Sequence, residues 1–541
     1  MRRLLDGGFL GRHAVFALSL LLAVVALGFV VTTGRGYAAL ALFGFLGALG
    51  IHDLAQRRHA LLRNYPVIGH IRYLFETVRA ELRQYLFEDD REALPFSREQ
   101  RSLVYQRAKS EPDQRPFGTL IDVYGQGYEF MGHSVRPKPV SDPATFRVTI
   151  GNEQCAEPYD ASVLNISGMS FGALSAAAIR ALNKGAKLGG FSHDTGEGSV
   201  SPYHVEGGGD LVWQIASGYF GCRTATGAFD PEAFAARARS PQIRMIELKL
   251  SQGAKPGHGG ILPADKVSPE IARVRGIPVG EACVSPSSHS SFDTPIGMMN
   301  FIAELRRLSG GKPVGFKLAI GHPWQFMSIV KAMLATGIVP DFVVVDGAEG
   351  GTGAAPVEFA DHLGVPMREG LIFVHNTLVG AGLRTRIRIG AAGKVISAFD
   401  MASCFAIGAD WVNAGRGFMF ALGCIQSLSC HTNRCPTGVA TQDPLRQRSL
   451  VVEDKAERVA AFHRHTLMAL AEMLAAAGLS HPGQLGPHHL ARRVTPTEIR
   501  LLSQLHAFLK PGELLAPTAE PGFYQASWAR AQAESFDAMP A

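Results

Sequence analysis

Cys424, Cys430 and Cys435 fall within GCIQSLSCHTNRCPTGVATQ in a C-x5-C-x4-C spacing. Thiolates at that density are the soft donors that hold zinc or iron. A proline directly after the last cysteine favours an iron–sulfur loop; a zinc site completed by His431, or a set of buried thiols, is the alternative. Glycine carries a second chemistry. Phe342-Val343-Val344-Val345-Asp346 runs into Gly347-Ala348-Glu349-Gly350-Gly351-Thr352-Gly353-Ala354, and two later runs end in Ala391-Ala392-Gly393-Lys394 and Asn413-Ala414-Gly415-Arg416-Gly417. Backbone N–H groups at such turns form anion nests, and Lys394 and Arg416 add cations. Taken singly each loop is an ordinary tight turn; together they point to a phosphorylated cofactor. No apolar run is followed by a spaced G-x-G-x-x-G, so a dinucleotide-binding domain is not indicated.

The elements that must position these groups are legible from about Val163 onward. Short apolar runs (SVLNISGM, MIELKL, PVGFKLAIG, DFVVVDG, DWVNAGRG) alternate with amphipathic stretches such as ALSAAAIRALNKGAKLG. Continuous apolar strands separated by helices describe a parallel sheet covered on both faces, and about 280 residues of it suit a closed (β/α)8 TIM barrel of the α/β class better than an open sheet. Chemistry in such a barrel sits where strands end and loops begin. The organisation expected is a membrane anchor over 1–58, a helical collar over 59–150, the barrel with its cysteine loop over 151–450, and a C-terminal helical extension over 451–541 that packs on the barrel's outside.

Positions 14–33 carry no charge and, at 1.5 Å per residue, span about 30 Å, the thickness of a bilayer's hydrocarbon core. After Gly34-Arg35-Gly36, positions 37–51 are again uncharged and rich in small residues, as in two helices that pack closely. Arg2, Arg3 and Arg12 precede the pair and Arg57, Arg58 and Arg63 follow it, against Arg35 alone in the loop. The positive-inside rule then puts both ends, and the body of the chain, on the cytoplasmic side. A cleaved signal peptide is the alternative. The seven cysteines do not distribute as a disulfide framework, which suits a reducing compartment. With 541 residues, 60 glycines and a net charge of +6 from 53 basic and 47 acidic residues, the chain is neither a small disulfide scaffold nor extended disorder. It has no long basic run in its body to bind nucleic acid.

The stretch CHTN-x-CP-x-GVATQ, with its cysteine spacing, closely resembles the [3Fe-4S] loop of glutamate synthase. The same family's central FMN barrel is echoed in order by SGMSFGALS at 167–175, TGEG at 195–198, KLSQGAKPGHGG at 249–260, DGAEGGTGAAP at 346–356 and LGCIQSLSCHTNRCP at 422–436. The resemblance is to short proteins, some membrane-tethered, that keep only the synthase barrel. It implies FMN, a [3Fe-4S] cluster on Cys424, Cys430 and Cys435, and reductive amination of 2-oxoglutarate by free ammonia. The electrons would come through the cluster from a donor such as ferredoxin or a reductase.

By position in those motifs, Glu197, Lys249, Gln252 and Lys255 correspond to the family's catalytic and substrate-contacting residues, and Arg275 is a candidate second grip on a carboxylate. Cofactor binding falls to Ser167, Gly168, Met169, Ser170, Gly350, Gly351, Gly353, Gly393, Lys394, Gly415 and Arg416. Lys317 is placed to stabilise the flavin pyrimidine, or else is a snorkelling barrel lysine. Lys249 paired with a neighbouring carboxylate, Glu197 as a loop charge and Arg275 as a solvated helix-end residue are the plainer readings. His258, His289 and His322 read as polar loop residues. The sequence departs from the family at KPGHGGI, where His258 and Ile261 replace a glutamate and a glutamine, at AGKVISA (392–398) and at SPSSHSS (285–291). These changes leave open a different oxo, hydroxy or amino acid, or a membrane scaffold without turnover.

Overall fold

The computed structural model describes residues 9–56, 59–89, 91 and 94–540. They form two compact units that divide between Ser97 and Arg98. In the first, α1 (Phe9–Thr33) and α2 (Tyr37–Ala55) make an antiparallel hairpin. The turn between them holds Gly34 and Gly36 at positive φ. Gly50 faces Phe16 so closely that a Cβ there would collide, and one at Gly47 would press on Leu20 at 3.0 Å, which is how small residues let two helices approach. The helices are long and apolar enough to cross a membrane. Their apolar side chains are uncovered, with Val31 77% and Phe45 65% exposed, unlike a core helix of a water-soluble domain. Arg2, Arg3, Arg57 and Arg58 lie outside the described residues. The helices α3 (Ala60–Asn64) and α4 (Gly69–Leu82) follow, and α4 ends in a π-helical turn over Arg83–Phe87.

The second unit opens with α5 (Arg98–Ala108). The helical reading of 59–150 stops there. Turn-rich EPDQRPFGT is irregular, and β1 (Glu129–Met131) pairs antiparallel with β14 (Leu490–Thr495), which pairs with β15 (Glu498–Leu501). Glu129 fixes that sheet by accepting from Arg368 (2.6 Å) and Arg492 (2.6 Å). The hairpin of β2 (Arg147–Ile150) and β3 (Tyr159–Ser162) contributes Ile150, Tyr159 and Ala161 to the core among Phe342 and Trp411. Both of the latter begin barrel strands, so the hairpin plugs the N-terminal end.

The barrel is closed and all-parallel. Its strands are β4 (Leu164–Ile166), β5 (His193–Asp194), β6 (Leu211–Ile215), β7 (Ile243–Lys249), β10 (Val314–Leu318), β11 (Phe342–Asp346), β12 (Arg388–Ala392) and β13 (Trp411–Ala414), and β13 returns to β4. A small antiparallel hairpin, β8 (Ile261–Leu262) and β9 (Cys283–Val284), is inserted after β7. Further helices of this unit include α6 (Ala176–Gly189), α7 (Pro231–Ala238), α8 (Pro269–Arg275), α9 (Pro295–Leu308), α10 (Pro323–Thr336), α11 (Met367–Gly380), α12 (Ala398–Ala406), α13 (Arg416–Ala421) and α14 (Val452–Ala476).

Local sequence explains the ends of α6: the Ser175 hydroxyl accepts from the Ala178 N–H at 3.1 Å, and Gly190 closes the helix at φ 68°. Midway, a Cβ at Gly185 would lie 2.5 Å from Val459 Cγ1. That close approach seats α14 of the C-terminal extension on the barrel's helical layer.

Candidate active site

On β7, Met245, Glu247 and Lys249 alternate and so share one face. The structure turns that face into the barrel. Glu247 meets Lys317 at 3.5 Å and accepts from Gln214 at 2.7 Å, while Gln214 also donates to Asp194 at 3.2 Å. A buried polar layer thus lies below the mouth. Burial pulls Lys317 toward neutrality, but Glu247, Asp194 and Asp346 outweigh it and raise its pKa, so Lys317 is a held cation and not a snorkelling one. Burial and the neighbouring Glu247 push the Asp194 carboxyl well up. Gly168 covers this layer, since a Cβ there would crowd Gln214 and Asp194.

One step further along the same face, Lys249 Nζ donates to Glu197 (2.8 Å) and to Gln252 Oε1 (3.0 Å). Burial would raise the Glu197 carboxyl, but Lys249, Arg275 and Lys255 hold it at about 2. The plainer reading of Lys249, a partner for a carboxylate, is therefore true, and the carboxylate is the other candidate residue. Gln252 Nε2 donates onward to the Gly351 carbonyl at 3.2 Å, which ties the motif after β7 to the glycine loop after β11. Lys255 is buried, reaches the Gly259 carbonyl at 3.4 Å, and is pushed down by burial and by Lys249 against the pull of Glu197. Gly260 lies flat on Glu197, where any Cβ would overlap the carboxylate.

His289, read from the sequence as a polar loop residue, donates from Nε2 to the Lys249 carbonyl (2.9 Å), and its Nδ1 meets the Tyr219 hydroxyl at 3.1 Å. Burial pushes it down to about 4, so it is a neutral brace for the end of β7. Arg275 is buried and not solvated. It donates to the Phe171 carbonyl at 3.1 Å and approaches Ser170 Oγ at 3.4 Å. It brackets the loop after β4 beside Glu197. His258 Nδ1 donates to the Gly259 carbonyl at 2.8 Å, and Ile261 is 43% exposed.

The loops after β11, β12 and β13 are neighbours because their strands are. Arg416 crosses between them and donates to the Glu349 carbonyl at 3.0 Å, over Gly351, where a Cβ would sit 2.8 Å from the guanidinium carbon. Burial pushes Arg416 down to about 10, and burial together with the Arg416 charge pushes Lys394 down. Two cations that oppose each other's charge beside glycine backbone fit a dianionic phosphate. Gly393 abuts Met367 and Glu349, and Gly415 abuts Ser167 and Met169, whose backbone in turn meets Gly196 together with that of Ser170. A Cβ at Gly353 would meet no other atom.

The cysteine loop is stitched to the same mouth. Gln442 Nε2 donates to the Gly172 (3.0 Å) and Leu174 (2.9 Å) carbonyls of the loop after β4. Asn433, at φ 61°, accepts from the Gln442 N–H at 2.7 Å and so sets the turn. Lys266 donates to the carbonyls of Cys430 (2.7 Å) and Ala440 (3.2 Å), and the Tyr105 hydroxyl donates to that of Cys424 (2.6 Å). Burial raises the Cys435 thiol, but the Thr437 hydroxyl and the backbone N–H groups of 437, 439 and 440 overcome it and lower its pKa. Such an N–H cradle suits a metal-bound thiolate. Among the described residues, no three His, Cys, Asp or Glu side chains converge on a point that would hold a metal ion.

The family described as a conserved region in glutamate synthase matches residues 138–480. The chain is similar to the "glutamate synthase large subunit-like protein YerD" of Bacillus subtilis, at 37% identity over 85% of this chain and 95% of that one. It is also similar to the "archaeal glutamate synthase [NADPH]" of Methanocaldococcus jannaschii, at 35% identity over 58% of this chain and 59% of that one. Among solved structures, the flavin-binding domain of baker's yeast flavocytochrome b2 aligns at a TM-score of 0.41 and 11% identity, over 84% of this chain and 93% of that one, a likeness too distant to bear on the chemistry.

Proposed function

The chain belongs to the glutamate synthase family, and from that premise we propose that it aminates 2-oxoglutarate reductively with free ammonia, as an FMN and [3Fe-4S] oxidoreductase. The observation that carries this reading is the convergence on one barrel mouth of the Lys249–Glu197–Gln252 triad, the cationic glycine loops and the Gln442-stitched cysteine loop.

FMN, held by the 167–170 loop, Gly350, Gly351, Gly393, Lys394, Gly415 and Arg416, supplies hydride chemistry when bound. Cys424, Cys430 and Cys435 are the proposed cluster ligands, which a ferredoxin or a reductase would feed. Within the chain, Lys317 keeps positive charge under the mouth, where negative charge grows on reduction. Glu197 stays ionised and positions Lys249 Nζ, a donor for an oxygen that leaves as water. Lys255 has its pKa lowered by burial and by Lys249, against the pull of Glu197, and its charge suits a substrate carboxylate. Arg275 is engaged with the loop after β4 and orients Ser170. The α1–α2 hairpin would anchor the protein with its body on the cytoplasmic side.

A second reading keeps the barrel and cofactors but changes the acid. It is favoured by Ile261, an exposed apolar residue next to Gly260, which lies on Glu197. The test is anaerobic purification in detergent, flavin and iron spectra, then reoxidation of the reduced protein. Reoxidation only with 2-oxoglutarate and ammonium together supports the first reading. Reoxidation by another oxo acid supports the second, and none with either refutes both.

A further inference from the structure

The helix α4 and its π-helical turn present an apolar stripe that nothing in their own unit covers. Ile71, Leu74, Phe75, Val78 and Leu82 recur at the spacing of one helical face, and Leu74 is 62% exposed. Leu86 and Phe87 continue the stripe through the turn and are also exposed. Arg72, Arg79 and Arg83 form a ridge along one edge, with Glu76 between the first two at 4.0 and 3.7 Å. A shallow groove between ridge and stripe is lined by Arg72, Arg79, Arg83, Phe75 and Phe87.

The position of this helix is fixed by the second span. Asp53, in the last turn of α2, is fully buried and accepts from the Val67 N–H (2.9 Å) and from His70 Nε2 (2.9 and 3.0 Å). Gln56 braces the link by donating to the carbonyls of Asp53 and His59, each at 2.9 Å. The 19 residues of α2 extend about 28 Å, close to the thickness of the hydrocarbon layer. The Asp53–His70 latch therefore holds the first turn of α4 at the level where the span leaves the hydrocarbon. Between residues 56 and 87 the sequence carries six arginines against two glutamates.

We propose that α4 with its π-helical turn is an interfacial helix that lies in the headgroup layer of an anionic bilayer, apolar stripe toward the acyl chains and Arg72, Arg79 and Arg83 on the lipid phosphates. The inference rests on the reading of α1 and α2 as membrane spans. Its chemistry is that of juxtamembrane basic amphipathic helices, in which apolar burial and attraction to anionic lipid add. The arginine stems extend along the edge of the stripe and their heads reach the phosphates.

The full chain, reconstituted in nanodiscs of phosphatidylcholine alone or mixed with phosphatidylglycerol, is digested with trypsin, and the cuts after Arg72, Arg79 and Arg83 are timed by mass spectrometry. Cutting is expected to be slower by about tenfold or more in the anionic discs, since each basic residue at such a surface contributes a preference of about fivefold. The double variant Leu74→Glu, Phe75→Glu is expected to be cut fast in both lipids, with thermal unfolding of the body unchanged. Equal rates for the native chain in the two lipids overturn the proposal, as does protection that depends on protein concentration, which marks a second copy on the stripe. Vesicle flotation after an alkaline carbonate wash scores the anchor separately. A chain that floats but is cut equally in both lipids retains its spans and loses this helix; a chain released by carbonate loses the spans.

Discussion

Glu197→Gln removes a charge while keeping the shape of the side chain. In the folded protein, burial would raise this carboxyl, yet Lys249 at 2.8 Å, with Arg275 and Lys255, brings it from the ordinary 4.5 down to about 2. At about 1.4 kcal/mol per tenfold, that interval represents about 3 kcal/mol of folding free energy at neutral pH. The folded value lies below the unfolded one. The contribution is therefore complete well above 4.5 and fades as the pH falls from there toward 2, with somewhat more than half of it gone by pH 3. Urea unfolding of the detergent-solubilised chain, followed by circular dichroism at pH 7 and pH 3, measures it. The native chain should exceed the variant by about 3 kcal/mol at pH 7 and by about 1 kcal/mol at pH 3. A gap of the same size at both pH values would refute the claim that Lys249 and Glu197 stabilise each other as an ion pair. The variant should also lose turnover, because Lys249 Nζ then lacks the carboxylate that positions it.

Three further outcomes follow from named contacts. Lys266→Met leaves the Cys430 and Ala440 carbonyls without their donor, at about 1.5–3 kcal/mol for each charge-assisted bond; iron per chain should fall while flavin is retained, and unchanged iron would contradict the role of this lysine. Arg416→Gln removes the guanidinium over Gly351 and should weaken flavin binding by about 2 kcal/mol, roughly thirtyfold by fluorescence titration. Gly185→Val drives a branched side chain into Val459 and the Ala456 carbonyl; a loss of about 1–3 kcal/mol in thermal unfolding is expected, with the flavin spectrum of the folded fraction unchanged.

Much of this protein is written in local pattern. The apolar run Phe342–Val345 and its counterparts point to a parallel barrel, because strands covered on both faces read as near-continuous apolar runs. The glycine loops, the cysteine spacing and the two uncharged stretches near the N-terminus are equally local, and each is visible in a window of about 20 residues. The alternation of Glu247 and Lys249 within MIELKL was a readable signal for the inward polar layer, because polar groups on one face of a buried strand must find partners inside. Closure of the barrel supplied those partners. Lys249 meets Glu197 across 52 residues, Lys266 meets Cys430 across 164, and Gln442 meets Gly172 across 270. No periodicity encodes such pairings. They depend on which strand ends become neighbours when eight strands close. The same closure buried Arg275 against Phe171 and made His289 a brace for Lys249, and long-range pairing replaced the expected helix beyond Ala108 with a strand beside β14. Sequence determined which chemistries this chain carries. Tertiary structure decided which residues share a charge, because Coulomb and hydrogen-bond energies fall off within a few ångströms and only the folded chain sets those distances.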